Sequence, residues 1–252
     1  MLSLDSLIRE AEITHGHLCA GQILGVRLAL LGLATLGIDD PKGKDRKRLV
    51  TFVEIDRCAT DAIAVVTGCR LGKRALKFRD WGKMAATFVD LSVKEPLVTS
   101  RFEGDGLHGV HETRGFGVLG REAVRKASDK FDRALAAEGS SPTSPESGQS
   151  HFYRAIRVAA KESSKQRARE LHPEIENKNQ QQMLAYRELS DDDLFTTEWV
   201  KVELLPEEFP GYKSDRIVCS VCGEGINFHR EVVRDGKILC RSCAGESYYE
   251  IL

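Results

Sequence analysis

A chain of 252 residues, 41% of them hydrophobic and 30% charged, has an ordinary soluble composition and is long enough to form two unequal domains. Its formal net charge of −1 gives no overall attraction to nucleic acid or to an anionic membrane, so either role would require a local patch. Seven cysteines, an odd number, favour metal binding in a reducing cytoplasm over a disulfide framework.

The first elements are predicted to be helical. A helix is expected near residues 4–11, followed by Thr14 as a cap, and the N-terminal residues do not form an export signal. The apolar run over residues 18–38 contains Gln22, Arg27 and several glycines, so it is predicted to be a buried core helix and not a membrane span. Arg27 in such a helix must either extend its charged end to solvent or meet a carboxylate or a bound anion, and a carboxylate is the expected partner.

The next elements predict a mixed core domain over residues 1–138. Because they do not alternate as repeated strand-helix-strand units, the expected class is α+β, a mixed helix-sheet core. The pattern predicts strands over residues 49–56, 85–91 and 97–102, a turn at residues 94–96, and helices over residues 59–67 and 119–137.

The second half of the chain begins with a predicted flexible linker at residues 139–150, GSSPTSPESGQS, which has too few apolar groups to offset the entropy of ordering. Residues 151–205 are predicted to link this segment to a terminal finger. Their composition indicates helix over residues 151–189, broken at His172-Pro173, and then a strand over residues 199–205. The finger is expected to occupy residues 206–252.

The most specific motif is a pair of C-x2-C sequences separated by seventeen residues. Each pair can direct two thiolates to one side of a turn, and four thiolates complete a tetrahedral zinc site with no open position for substrate. Each C-x2-C turn forms a zinc knuckle. A first knuckle, a hairpin with its turn at Asp235-Gly236, and a second knuckle that leads into a helix follow one another in the chain, and this order is typical of a treble-clef finger. The alternative is four unrelated buried cysteines. The predicted structural zinc ligands are Cys219, Cys222, Cys240 and Cys243.

The sequence is compatible with a finger that binds a protein and with one that binds nucleic acid. Its arginines and lysines are nearly balanced by acidic residues, which favours protein contact or domain stabilisation over phosphate binding. The basic residues over 154–169 are the main feature that supports nucleic-acid binding.

A second group of potential metal ligands lies at the start of the apolar helix, in the sequence His15-Gly-His17-x-Cys19. Imidazoles and thiolates bind zinc, nickel, copper or iron, and Cys58 and Cys69 supply further thiols. The alternative is that the thiols are small buried apolar groups and the histidines are a cap and a core hydrogen bonder.

Asp61 lies one helical turn after Cys58, where it can act in the second shell of a metal or in proton transfer. Acidic residues are also common at helix starts without any such role. Three basic residues that follow glycines can contact an anion: Lys73, Arg74 and Lys83. The alternative is that they belong to basic loops exposed to solvent.

Three segments in order resemble the E-subunit family of formylmethanofuran dehydrogenase: HGHLCAGQILGVR at 15–27, VEIDRCATDAI at 53–63 and TGCRLGKRALKFRDWGKMAATF at 67–88. The resemblance implies an α+β core, commonly dimeric, with a metal cleft, and an association with molybdenum or tungsten formylmethanofuran dehydrogenase in methanogenesis. It also implies an auxiliary treble-clef finger. The core ligands that it implies are His17 and Cys58 first, then His15, Cys19 and Cys69.

Two functional hypotheses follow. The first is an accessory subunit, not the catalytic one, with a transition metal in the core and a finger that docks a partner protein, because the chain lacks the cysteine runs of an electron relay. The second is a regulatory protein that senses a metal or metabolite and binds nucleic acid through the finger and a basic helix.

Overall fold

The computed structural model describes residues 3–95 and 151–250. The chain divides into two compact units. In their described parts, the first comprises residues 3–95 and 151–203, and the second comprises residues 204–250. The core domain therefore contains chain from both sides of residues 96–150. The predicted strand at 97–102, helix at 119–137 and linker at 139–150 lie outside the described residues.

Helix α1, Leu4–His15, begins at Ser3, whose hydroxyl accepts a hydrogen bond from the Ser6 N–H at 3.2 Å. It ends at Gly16, which has the left-handed φ of 95° that glycine readily adopts. The prediction that Thr14 caps the next helix was wrong. Thr14 lies within α1 and its hydroxyl donates to the Glu10 carbonyl, because the helix extends one turn further than its apolar pattern indicated.

Helix α2, Ala20–Leu36, is the buried core helix that the apolar run predicted. Within the described ranges, no helix has both the length and the apolarity needed to cross a bilayer. Two glycines allow other elements to approach α2 closely. A Cβ on Gly25 would lie 2.6 Å from the Ala59 carbonyl oxygen, and one on Gly32 would lie 2.2 Å from the Phe88 ring.

A five-stranded mixed sheet packs against these helices. Strands β1, Leu49–Val53, and β2, Leu76–Phe78, are parallel, and helix α3, Cys58–Thr67, connects them. Strand β3, Ala85–Glu95, pairs antiparallel with β1. The sheet order is β2, β1, β3, then β4, His151–Ala160, and β5, Phe195–Leu204. The α+β class is confirmed.

Strand β3 differs from its prediction. Lys94 and Glu95, which were assigned to a turn, continue the strand and pair with Tyr153 and Phe152 of β4 after an irregularity in register. The β-branched and aromatic residues of β3 favour a strand, and pairing with β4 continues this strand beyond residue 91.

The predicted helix over residues 151–160 was also wrong, because this segment is strand β4. Tyr153 and Ala155 face one side of the sheet and Ile156 and Val158 the other, and all four are buried. Two-sided burial in the middle of a sheet favours aromatic and β-branched residues, and it overrides the helical preference of the charged positions between them.

Three further helices belong to the first unit, and the second of them packs against α2. They are α4, Ser163–Leu171, α5, Lys178–Glu188, and α6, Asp191–Leu194. The predicted break at His172-Pro173 is confirmed, because α4 ends there. Arg27 of α2 pairs with Asp191 at 2.6 Å and donates to the Tyr186 carbonyl at 2.9 Å, so its partner is a carboxylate, as expected.

The second unit contains two short hairpins. Strand β6, Ile217–Val218, pairs with β7, Gly225–Ile226, and β8, Val232–Arg234, pairs with β9, Lys237–Leu239. The predicted turn between β8 and β9 is confirmed, since Asp235 and Gly236 both have the positive φ of a tight hairpin turn. A short helical turn, Ser242–Glu246, follows.

Candidate metal centres

The four cysteines of the two C-x2-C motifs form one cluster. Their sulfur atoms all lie within 4.8 Å of one another, and Sγ of Cys222 is 3.8 Å from Sγ of Cys240. A tetrahedral zinc ion with Zn–S bonds of about 2.3 Å separates its sulfur ligands by about 3.8 Å. The cluster therefore has the dimensions of a four-thiolate zinc site.

Local turns direct the thiols inward. Gly223 has a φ of 74°, which allows the chain to reverse after Cys222, and its N–H donates to the Cys219 carbonyl at 3.1 Å. The N–H of Cys240 donates to Sγ of Cys219 at 3.3 Å, and that of Cys243 donates to Sγ of Cys240 at 3.4 Å. Backbone donors thus support negative charge on the sulfur atoms.

The thiol pKa values differ widely within the cluster. Hydrogen bonds from the backbone of Cys222, Cys240 and Val221 lower the pKa of Cys219 to about 6. The hydrogen bond with Cys240, burial, and the nearby thiols of Cys222 and Cys219 raise the pKa of Cys243 to about 12. Four thiolates cannot share this space without a positive ion, so the donor set fits zinc.

The second cluster lies where α1 ends and α2 begins. Ligand atoms of His15, His17 and Cys19 lie within 4.8 Å of one another, and the two imidazole rings are 4.8 Å apart between centroids. Cys58, the first residue of α3, contacts Cys19. Burial and this contact raise the pKa of the Cys58 thiol. The two imidazoles and the Cys19 thiol therefore converge, with the Cys58 thiol next to Cys19, and imidazole and thiol donors fit a transition metal.

Asp61 orients one of these donors. Oδ2 of Asp61 lies 2.8 Å from Nδ1 of His15, although 46 residues separate them in the chain. A carboxylate that accepts the Nδ1 proton leaves the lone pair of Nε2 available for a metal. Asp61 thus contacts His15, one of the candidate ligands, and its second-shell role stays a prediction.

Cys69 does not join this cluster. It follows the opposite end of α3, about 14 Å from the start of a ten-residue helix at 1.5 Å per residue. Its thiol is buried beneath β1, where it accepts a hydrogen bond from Thr51 at 3.5 Å, and burial raises its pKa. Cys69 behaves as a small core residue and is not a ligand that the fold supports.

The sequence pattern did not identify Asn179. Its Oδ1 accepts a hydrogen bond from the Ala20 N–H at 3.1 Å, so a side chain of α5 caps the first turn of α2 beside Cys19. Cys19 itself makes no side-chain cap. No local signal marks this role, because 159 residues separate the donor from the acceptor.

The fold and the two clusters together define the class of protein. It is an α+β protein with a histidine-cysteine cluster in its core unit and a four-cysteine zinc finger. A family model described as "FmdE, Molybdenum formylmethanofuran dehydrogenase operon" matches residues 14–196. A second, described as "Prokaryotic dksA/traR C4-type zinc finger", matches residues 211–249. The chain belongs to the FmdE family and carries a C4 zinc-finger domain.

Known proteins similar to the chain include one curated relative and one solved structure. A "Probable S-adenosyl-L-methionine-binding protein" of Archaeoglobus fulgidus is 29% identical over 99% of this chain and 55% of its own length. The chain thus spans about half the length of this curated relative. A tungsten formylmethanofuran dehydrogenase FmdE-like protein from Syntrophus aciditrophicus has the same fold, with a TM-score of 0.51, 16% identity, and coverage of 99% of this chain and 96% of its own.

Proposed function

We propose that this chain is a metal-binding accessory protein of the formylmethanofuran dehydrogenase system, with a transition metal in its core and a finger that docks a partner protein. The convergence of His15, His17 and Cys19 within 4.8 Å, with Cys58 beside Cys19, is the observation on which this proposal depends. Asp61, hydrogen-bonded to His15, supports it, since metal-bound histidines are usually oriented in this way.

The donor set favours a borderline or soft metal. Two imidazoles and two thiolates suit zinc, nickel, copper or iron, whereas magnesium and calcium prefer oxygen ligands. His17 is exposed and Cys19 and Cys58 are half-buried, so the cluster is accessible from solvent. A metal held there would be open to a small ligand. S-adenosyl-L-methionine is one compound to test, because the Archaeoglobus relative is named for binding it.

An accessory role suits the cysteine content better than a catalytic one. Four of the seven cysteines lie in the finger, which leaves three for the core. A carbon dioxide-reducing subunit would need a pterin-bound metal and iron-sulfur relays with many more thiolates. The proposed place of action is the cytoplasm during methanogenesis, where a reducing environment keeps the thiols available as ligands.

The finger supports docking of a protein more than binding of nucleic acid. We propose a treble-clef topology for it, supported by the order of its knuckle, β8–β9 hairpin and helical turn. Val221, Val233 and Tyr248 expose 66%, 70% and 96% of their surface. Exposed apolar side chains on a unit with balanced charges favour contact with a protein. The partner can be another protein of the same system, and we propose that the chain itself forms a homodimer.

The regulatory alternative, with nucleic acid as the partner, has less support. It relied on a basic helix over residues 151–171, but residues 151–160 form a strand. Arg157 is held by Glu54 in two hydrogen bonds of 2.7 Å, Lys165 pairs with Glu162 just before α4, and Arg167 pairs with Glu170 within α4. Cations already paired in this way attract phosphate weakly.

Metal analysis of three proteins tests the proposal. We expect the wild type to hold two metal ions per chain, one in each cluster, and Cys58→Ala to hold one. Cys69→Ala is the matched control, because it removes a core thiol that lies apart from the cluster, and it should retain both ions. Equal metal content in the wild type and Cys58→Ala would eliminate the core site.

A further inference from the structure

Two of the core thiols lie next to each other where α2 and α3 begin. Cys19 directly precedes α2, Cys58 is the first residue of α3, and the side chains of the two cysteines are in contact. Both are half-buried, so a small reagent can reach them from solvent. Cys69, the third thiol of the core unit, is buried and follows the other end of α3. Cys19 and Cys58 therefore form a pair from which Cys69 is excluded.

Glycine at position 21 leaves room for this pair. The position that a Cβ on Gly21 would occupy is 3.4 Å from Cβ of Cys58 and 3.8 Å from Sγ of Cys19, so both cysteines border the same small space. One turn further along α2, a Cβ on Gly25 would lie 2.6 Å from the Ala59 carbonyl oxygen. This close packing of α2 on α3 holds the two cysteines together, although they are far apart in the chain.

Two adjacent and accessible thiols can react with each other as well as bind a metal. Oxidation converts one thiol to a sulfenic acid, and a neighbouring thiol condenses with it to give a disulfide. The two uses exclude each other, because the thiolate is the form of cysteine that binds a metal and a disulfide contains none. The same pair of residues therefore has a metal-binding state and an oxidised state.

We propose that Cys19 and Cys58 form a reversible disulfide, which switches the core cluster between these two states. Oxidation removes both thiolates and leaves the imidazoles of His15 and His17, so the cluster loses half of its donors. The release of a metal rests on the proposed function. The disulfide itself does not, because it requires only the two thiols.

The reaction balances with hydrogen peroxide as the oxidant. One thiol attacks a peroxide oxygen, the O–O bond breaks, and the thiol proton leaves with hydroxide as water. The second thiol then attacks the sulfenic sulfur, the S–S bond replaces the S–O bond, and the second proton leaves with hydroxide as another water. A dithiol such as dithiothreitol returns the two electrons and reverses the bond by thiol-disulfide exchange.

Peptide mapping of the full chain tests the disulfide. The protein is treated with a chelator and then with hydrogen peroxide, its remaining thiols are alkylated, and it is digested with trypsin. Cys19 lies in peptide 10–27, and Cys58 lies with Cys69 in peptide 58–70. We expect the two peptides to be joined in the oxidised protein and to be separated by dithiothreitol.

Three variants identify the bonded cysteine, because peptide 58–70 contains two. Cys69→Ala is the matched control and should retain the joined peptides. Cys58→Ala and Cys58→Ser should both lose them. The serine variant keeps a polar group of similar size, so agreement between the two shows that the loss does not come from a defect in packing.

Metal content, measured without a chelator, tests the consequence for the core cluster. The wild type should lose its core ion in proportion to the joined peptides, and dithiothreitol should allow the ion to bind again. Cys58→Ser measures any loss from the finger, since only the finger ion is expected in this variant. Joined peptides in a protein that never held a core ion would refute the metal centre and support the disulfide.

Three results would overturn the proposal. One is separate peptides from the oxidised wild type, with sulfinic acid at Cys19. Another is joined peptides from Cys58→Ala, which would place the bond at Cys69. The last is joined peptides found only in a covalent dimer on a non-reducing gel, because the bond would then link two copies of the chain.

Discussion

The carboxylate of Asp61 lies 2.8 Å from Nδ1 of His15, so the first turn of α3 holds the last residue of α1 in a defined orientation. Fixing the proton on Nδ1 leaves Nε2 as the free nitrogen of the ring. Asp61 is 55% exposed, so it contributes little to the apolar core, and its effect on metal affinity can be separated from its effect on folding.

Asp61→Asn should lower the affinity of the core cluster for its metal about 10- to 100-fold, because a second-shell carboxylate both orients the imidazole and makes it more basic. Competition with a metal chelator measures the change. Asp56→Asn is the control, since it alters an exposed carboxylate in the loop before α3. Equal chelator resistance in the wild type and Asp61→Asn would show that His15 is not a ligand.

Zinc binding to the finger should release protons at pH 7. Cys219, with a pKa of about 6, is mostly a thiolate at this pH before metal binds, whereas Cys243, with a pKa of about 12, is protonated. Zinc must displace the Cys243 proton, so apparent affinity should rise with pH. Addition of zinc to the metal-free protein in weak buffer, followed with a pH indicator, measures the release. Affinity independent of pH from 6 to 8 would contradict this assignment.

Gly25→Ala should reduce both stability and core metal affinity. The new Cβ would lie 2.6 Å from the carbonyl oxygen of Ala59, and this backbone cannot move without shifting Cys58 beside it. Overpacking of this kind costs about 1–3 kcal/mol of unfolding free energy. Denaturant unfolding and metal content measure the two effects. Gly72→Ala, at a loop glycine with open space around it, should change neither.

Arg27→Ala should lower the unfolding free energy of the core unit by about 3 kcal/mol, because it leaves the Asp191 carboxylate and the Tyr186 carbonyl without their donor. The exposed pair of Arg187 and Asp5 provides the comparison, and Arg187→Ala should cost under about 1 kcal/mol. Similar midpoints of denaturant unfolding for the two variants would mean that the Arg27 pair is no stronger than a surface pair.

The sequence predicted the features that depend on local spacing. The C-x2-C pairs, the turn at Asp235-Gly236 and the helix that begins near Cys58 all follow from short patterns with a direct structural cause. The close spacing of His15, His17 and Cys19 in the sequence predicted that they form one group, and the fold brings them together.

The features that were missed depend on distant parts of the chain. Residues 151–160 form a strand because burial on both faces of the sheet outweighs their helical composition. Cys69 is separated from Cys58 by the length of α3, which the cysteine positions alone do not reveal. Asn179 caps α2 from 159 residues away, and only the packing of α5 against α2 places it there.

Diffraction from crystals of the full chain, recorded on both sides of the absorption edges of zinc, nickel, copper and iron, tests the central claim most directly. Our account predicts two anomalous peaks per chain, one among the four finger cysteines and one bound by His15, His17, Cys19 and Cys58. A single peak in the finger, with the core imidazoles and thiols hydrogen-bonded only to protein or water, would contradict it.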